Sequence, residues 1–130
     1  MIKGRCFCGE VQFEIASEPR QSNHCHCISC QRASGAPFVT WLTFAAADFD
    51  VTHGMITERE SSPGVLRGHC AACGTAMTWQ SMTRSDSIDI TAACFDDKSI
   101  VKPSSHIWMS HSPPWVSLDD DLPKHQEWSK

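Results

Sequence analysis

Long apolar runs are missing from this chain of 130 residues. The most apolar stretch, Phe38 to Phe49, is interrupted by Thr40, Thr43 and Asp48, whereas a membrane span needs roughly 20 apolar residues. No membrane partner is expected. The opening Met1-Ile2-Lys3-Gly4-Arg5-Cys6 has neither an apolar leader core nor a cleavage site, so the cytoplasm is the expected compartment. A basic stripe is missing as well. Eleven Lys and Arg are scattered against 15 Asp and Glu, for a net charge of −4, and an acidic run stands at Asp119-Asp120-Asp121. Nucleic-acid binders concentrate basic charge on one face, so that class is excluded. Repeats, linkers and low-complexity segments are absent, and the length suits one domain over 1–130.

Cysteine is what the chain has in plenty: there are eight. In a reducing compartment thiols in such number point to metal, and in an oxidising one to disulfides. Seven of the eight form three clusters, Cys6-x-Cys8-Gly9, Cys25-x-Cys27-x-x-Cys30 and Cys70-x-x-Cys73-Gly74. Zinc–thiolate bonds of about 2.3 Å in a tetrahedron require sulfurs to arrive in close pairs. A Cys-x-x-Cys turn delivers such a pair, and so does Cys-x-Cys on an extended segment. Cys6, Cys8, Cys70 and Cys73 make the natural four-ligand set, because each pair is followed by glycine. Cys25, Cys27 and Cys30 remain as a three-ligand set.

Two zinc ions per chain are therefore expected, one structural and closed, the other catalytic and open at one position. The competing readings are a disulfide framework and a single zinc ribbon with spare cysteines. Three thiolates make the second centre a weak activator of water but a good acceptor for a further sulfur. That favours thiol chemistry over hydrolysis. Cys94 lies at an apolar strand end and reads as a small core residue, with approach to the second zinc as the alternative. His26 is expected to point away from the metal, and His24 to bond a group beyond the ligands. His69, His106 and His111 read as ordinary strand or loop histidines. Arg32, just after the second cluster, is the candidate partner for a substrate carboxylate.

Period-two alternation dominates the rest. Val11-Phe13-Ile15, Phe38 to Phe44, Val65 to His69, Thr75 to Trp79, Ser87 to Ala92 and His106 to Met109 all read as strands. The third and fourth make a hairpin with Cys70 and Cys73 at its tip. Helix is expected only around Ser29 to Ser34, ended by Gly35 and Pro37, and in a turn at Ala45 to Asp48. The fold class is mainly β.

The segments Gly4-Arg5-Cys6-Phe7-Cys8-Gly9-Glu10-Val11-Gln12-Phe13, Cys25-His26-Cys27-Ile28-Ser29-Cys30-Gln31-Arg32-Ala33-Ser34-Gly35 and Cys70-Ala71-Ala72-Cys73-Gly74-Thr75 carry a resemblance. Together with His106-Ile107-Trp108, Pro114-Trp115 and Asp121-Leu122-Pro123, they resemble the glutathione-dependent formaldehyde-activating enzyme family, which includes the centromere protein V domain. The resemblance implies a β-tent of stacked antiparallel sheets. It also implies structural zinc on Cys6, Cys8, Cys70 and Cys73, and catalytic zinc on Cys25, Cys27 and Cys30. The implied activity is that of a carbon–sulfur lyase joining glutathione to formaldehyde as S-hydroxymethylglutathione. Gln31 stands where many members carry a basic residue, and Cys94 where small or hydroxyl residues are usual. The leading function is thus an enzyme acting on a glutathione-like thiol and a small aldehyde. The alternative is a non-catalytic zinc module that uses the fold as an interaction surface.

Overall fold

A computed structural model describes residues 1–129. Ten strands follow in order: β1 (Ile2–Arg5), β2 (Gln12–Ile15), β3 (Gln21–Cys25), β4 (Val39–Ala45), β5 (Phe49–His53), β6 (Ile56–Ser62), β7 (Val65–Cys70), β8 (Ala76–Ser81), β9 (Ser87–Thr91) and β10 (His106–Ile107). One α-helix among the described residues, α1 (Ile28–Ser34), joins β3 to β4. β1, β2 and β5 form a small antiparallel sheet, and the other seven form a large one in the order β10-β3-β4-β9-β8-β7-β6. The large sheet is antiparallel except where β10 runs parallel to β3. The architecture is mainly β with stacked antiparallel sheets, as the alternating pattern predicts.

Alternation sorts side chains to the two faces of the large sheet. Leu42 and Phe44 on β4 and Ile88 and Ile90 on β9 join Phe13 and Ile15 of the small sheet, and Val11 just before β2, in one buried cluster. Each such side chain contributes about 1.5–3 kcal/mol on burial. Phe13 meets Phe95 edge to face at 5.4 Å between ring centres. Trp41 and Val39 cluster separately with Cys25, Cys30 and Ile107, and Trp79 and Trp108 pack against them. β4 is flanked on both sides and buried at Val39 and over Trp41–Phe44, which its apolar residues on both faces predict.

Four strands lie outside the alternating pattern. β3 reads Gln-Ser-Asn-His-Cys, and β6 exposes Glu58, Arg59 and Glu60. β6 is an edge strand, and charge there discourages pairing with other chains. β1 and β5 flank β2, whose Phe13 and Ile15 supply the apolar anchor. No helix among the described residues is long and apolar enough to cross a membrane.

Candidate functional site

The sulfurs of Cys6, Cys8, Cys70 and Cys73 lie within 4.8 Å of one another. Cys6 Sγ is 3.5 Å from Cys8 Sγ, and Cys8 Sγ is 3.9 Å from Cys70 Sγ, close to the spacing of a tetrahedral tetrathiolate. Two matching turns produce this. Gly9 and Gly74 both have φ of +80°, and their amides close onto the Cys6 and Cys70 carbonyls. A residue with Cβ would be strained at that φ. The turns aim amides at sulfur: Glu10 N at Cys8, Val11 N at Cys6, and Ala72 N and Cys73 N at Cys70, at 3.3–3.4 Å. Thr75 bonds Cys73 Sγ at 3.0 Å, and its hydroxyl and amide pull that thiol down to about 5. These contacts favour thiolates, the form a metal binds.

The second group, Cys25, Cys27 and Cys30, also lies within 4.8 Å. Cys25 ends β3 beside β10. Cys27 is the N-cap of α1, accepting from Cys30 N at 3.3 Å, and Gly35 closes the helix in the left-handed conformation. Gln31 Nε2 donates to the carbonyls of His26 at 2.7 Å and His111 at 2.9 Å, tying the helix to the cluster loop and to the turn after β10. Bonds from the Cys25 and Cys30 thiols hold Cys27 well below the ordinary thiol range, and the Cys27 sulfur pushes Cys25 up. Three sulfurs this close repel one another as thiolates, and a bound cation relieves that repulsion. A soft metal ion fits this donor set.

The two groups differ in their surroundings. A cleft of about 570 Å³ is lined by Cys25, Cys27 and Cys30 together with Trp41, Trp79, Trp108, Arg67, Arg84 and Asp89, within the usual range of ligand sites. A smaller cavity of about 280 Å³ opens beside Cys30 and Arg67. None of the four thiols of the first group lines either one. Trp108 has a left-handed backbone, φ 58°, rare for a bulky residue. Its amide is held by the Glu127 carbonyl at 2.9 Å and its ring packs on His111 and Trp128.

Arg67 is the cation at the cluster, with both terminal nitrogens 3.6–3.7 Å from Cys30 Sγ. Arg32, singled out in the sequence, is exposed on α1 and lines neither cavity. Residues two apart on a helix do not share a face, so turning Cys30 inward turns Arg32 outward.

The histidines are organised where the sequence assigns least. His106 is buried, with Nδ1 2.9 Å from His26 Nε2 and Nε2 2.9 Å from the Asp120 carboxylate. An acidic partner fixes the proton on His106 Nε2, so Nδ1 accepts and His26 Nε2 donates. His26 Nδ1 is left buried with no hydrogen-bond partner among the described residues. His24 stacks on His106 at 4.7 Å and bonds Thr40. His24, His106 and Asp120 are close enough to hold a metal, yet both His106 nitrogens already serve this chain of bonds. His26 sits between Cys25 and Cys27, so the chain runs from the carboxyl-terminal segment to the cluster.

Cys94 takes a bond from the Thr91 hydroxyl at 3.1 Å, packs against the larger core, and lies on the side of Cys6 and Cys73. Cys94→Ala is expected to change stability by about 1 kcal/mol or less and leave metal content unaltered, as thermal unfolding and zinc analysis would show.

The sequence model of the family described as glutathione-dependent formaldehyde-activating enzyme matches residues 1–111. A Halomonas elongata protein named "Putative glutathione-dependent formaldehyde-activating enzyme" is 28% identical over 130 residues, spanning 92% of this chain and 82% of that protein. The crystal structure of a Rhodobacter sphaeroides protein is similar with a TM-score of 0.60 and 21% identity, covering 72% of this chain and 87% of that one. The last is a likeness of fold.

Proposed function

Because the chain belongs to the glutathione-dependent formaldehyde-activating enzyme family, we propose that it joins a glutathione-like thiol to a small aldehyde such as formaldehyde, as a zinc-dependent carbon–sulfur lyase. The observation that carries this reading is the asymmetry between the thiol groups. Four sulfurs line neither cavity, Cys8 and Cys73 standing at the outer surface, whereas three line a cleft. On this reading the chain holds two zinc ions, a structural one on Cys6, Cys8, Cys70 and Cys73 and a catalytic one on Cys25, Cys27 and Cys30. Zinc at the second position supplies a soft Lewis acid that favours a substrate sulfur as thiolate near neutral pH. Arg67 offsets the negative charge that accumulates on Cys30 and on an incoming thiolate. Trp41, Trp79 and Trp108 give the cleft apolar walls, which limit water at the reacting carbon. The reducing cytoplasm, where free thiols are abundant, is the compartment in which this chemistry is useful.

Replacing zinc with cobalt makes the second site visible, because thiolate-to-metal charge-transfer bands grow with each sulfur bound. Glutathione should strengthen those bands. Arg67→Ala should weaken glutathione binding about tenfold, in line with a hydrogen bond to a charged group, while Arg32→Ala should change it less than about twofold. A spectrum that no thiol moves would falsify the open site and favour a closed, non-catalytic zinc module.

A further inference from the structure

The cleft holds a charged group that thiol binding leaves unused. Asp89 sits on β9, partly buried, and accepts one bond from the Thr43 hydroxyl at 2.5 Å. It forms no ion pair among the described residues. The Arg84 guanidinium lines the same cleft and acts on Asp89 through space from beyond ion-pair distance. Partial withdrawal from water disfavours a carboxylate that has no cation beside it, and it pushes Asp89 above its ordinary range. The neighbours from β4 and β8, Thr43 and Trp79, are not titratable. An anion and a cation thus flank one end of the cleft with a gap between them.

That end is remote from the thiols. Asp89 is in register with Thr43, and Thr43 with Gln21, whereas Cys25 lies four residues further along β3. Four residues of strand span about 13 Å, and neighbouring strands are about 4.8 Å apart. A thiol bound at the cluster would reach Asp89 only with an extended peptide-like body, at about 3.3–3.6 Å per residue.

We propose that Asp89 and Arg84 form a subsite for a free α-amino-acid head, Asp89 taking the ammonium and Arg84 the carboxylate. The inference rests on the proposed thiol reading and narrows it to thiol peptides that carry both charges at one end. It accounts for the cleft carboxylate without an ion-pair partner, for the cation held apart from it, and for the length of cleft between them and the sulfurs.

Three peptide probes test it by calorimetry and cobalt titration, beside 3-mercaptopropionate as a thiol without the amino-acid head: glutathione, N-acetylglutathione, whose ammonium is gone, and S-methylglutathione, whose sulfur cannot become a thiolate. The wild type should bind glutathione about ten- to a hundredfold more tightly than N-acetylglutathione, the range of a buried charged hydrogen bond. Asp89→Asn keeps an acceptor for Thr43 and should abolish that preference, leaving 3-mercaptopropionate affinity unchanged. Arg84→Gln, on the exposed rim, gives a second comparison should Asp89→Asn misfold, and should cost glutathione about tenfold. S-methylglutathione binding that depends on Asp89, with no thiol perturbing the metal, would uphold the subsite and sink the open-metal reading. Equal affinity for glutathione and N-acetylglutathione overturns the subsite and leaves the thiol reading standing. Absence of binding by all three probes overturns both.

Discussion

Cys70→Ser or Cys73→Ser is expected to abolish cooperative folding, while Cys27→Ser gives a folded protein with one zinc fewer. Both pairs of the four-thiol group sit on loops that no helix supports, and the Cys8–Cys70 contact spans 62 residues of chain. The group joins the turn between β1 and β2 to the turn between β7 and β8, and so ties the small sheet to the large one. Structural zinc contributes roughly 10–16 kcal/mol in small domains, against a typical net stability of about 5–15 kcal/mol. Removing one ligand therefore removes a term as large as the whole. Cys27 belongs to a group packed into six consecutive residues, so a metal there closes only a short loop. Its surroundings are held by α1, β3 and β10 through Gln31 and the backbone. Circular dichroism with zinc analysis separates the cases, and equal loss of structure in all three variants would contradict the division between structural and catalytic sites.

The two cysteine groups that could hold a metal were legible in the sequence because metal geometry requires sulfurs in close pairs, and close pairs leave a local signature. The same holds for β2, β7, β8 and β9, whose patterns mark a buried face, and for β4, whose apolar residues on both faces mark a central strand. Local signatures fail where a contact depends on the far side of the fold. Arg67 meets Cys30 across 37 residues and His106 meets His26 across 80, and neither pairing leaves a mark at its own position. Arg32 was the natural choice by nearness in sequence, but helical geometry turns it away from Cys30. β3 is polar because its partners, not its own side chains, supply the burial. Gln31 looked like a lost cation, and the structure gives it a bracing role instead.

The largest effect away from the sulfurs is expected at His106. His106→Ala leaves the His26 Nε2–H buried without an acceptor and frees Asp120, and it opens a cavity beside β3. An orphaned buried donor costs about 1–3 kcal/mol, and loss of a large buried side chain adds to it, so a total of about 3–5 kcal/mol is expected. In a chain of this size that lowers Tm by roughly 10–20 °C. Because His26 lies between Cys25 and Cys27, the variant should also release the second zinc to a chelator faster, with the first zinc unaffected. Asp120→Asn, which keeps an oxygen for His106 Nε2–H, should show a smaller shift in the same direction. The pH dependence follows from the same bond. The His106 hydrogen bond holds the Asp120 carboxyl below its ordinary range, so its contribution is complete above the unfolded value of about 3.9. It is lost as pH falls through the folded value. Asp120→Asn should therefore flatten the acid limb of the stability profile, and an unchanged limb would place the anchor of the carboxyl-terminal segment elsewhere.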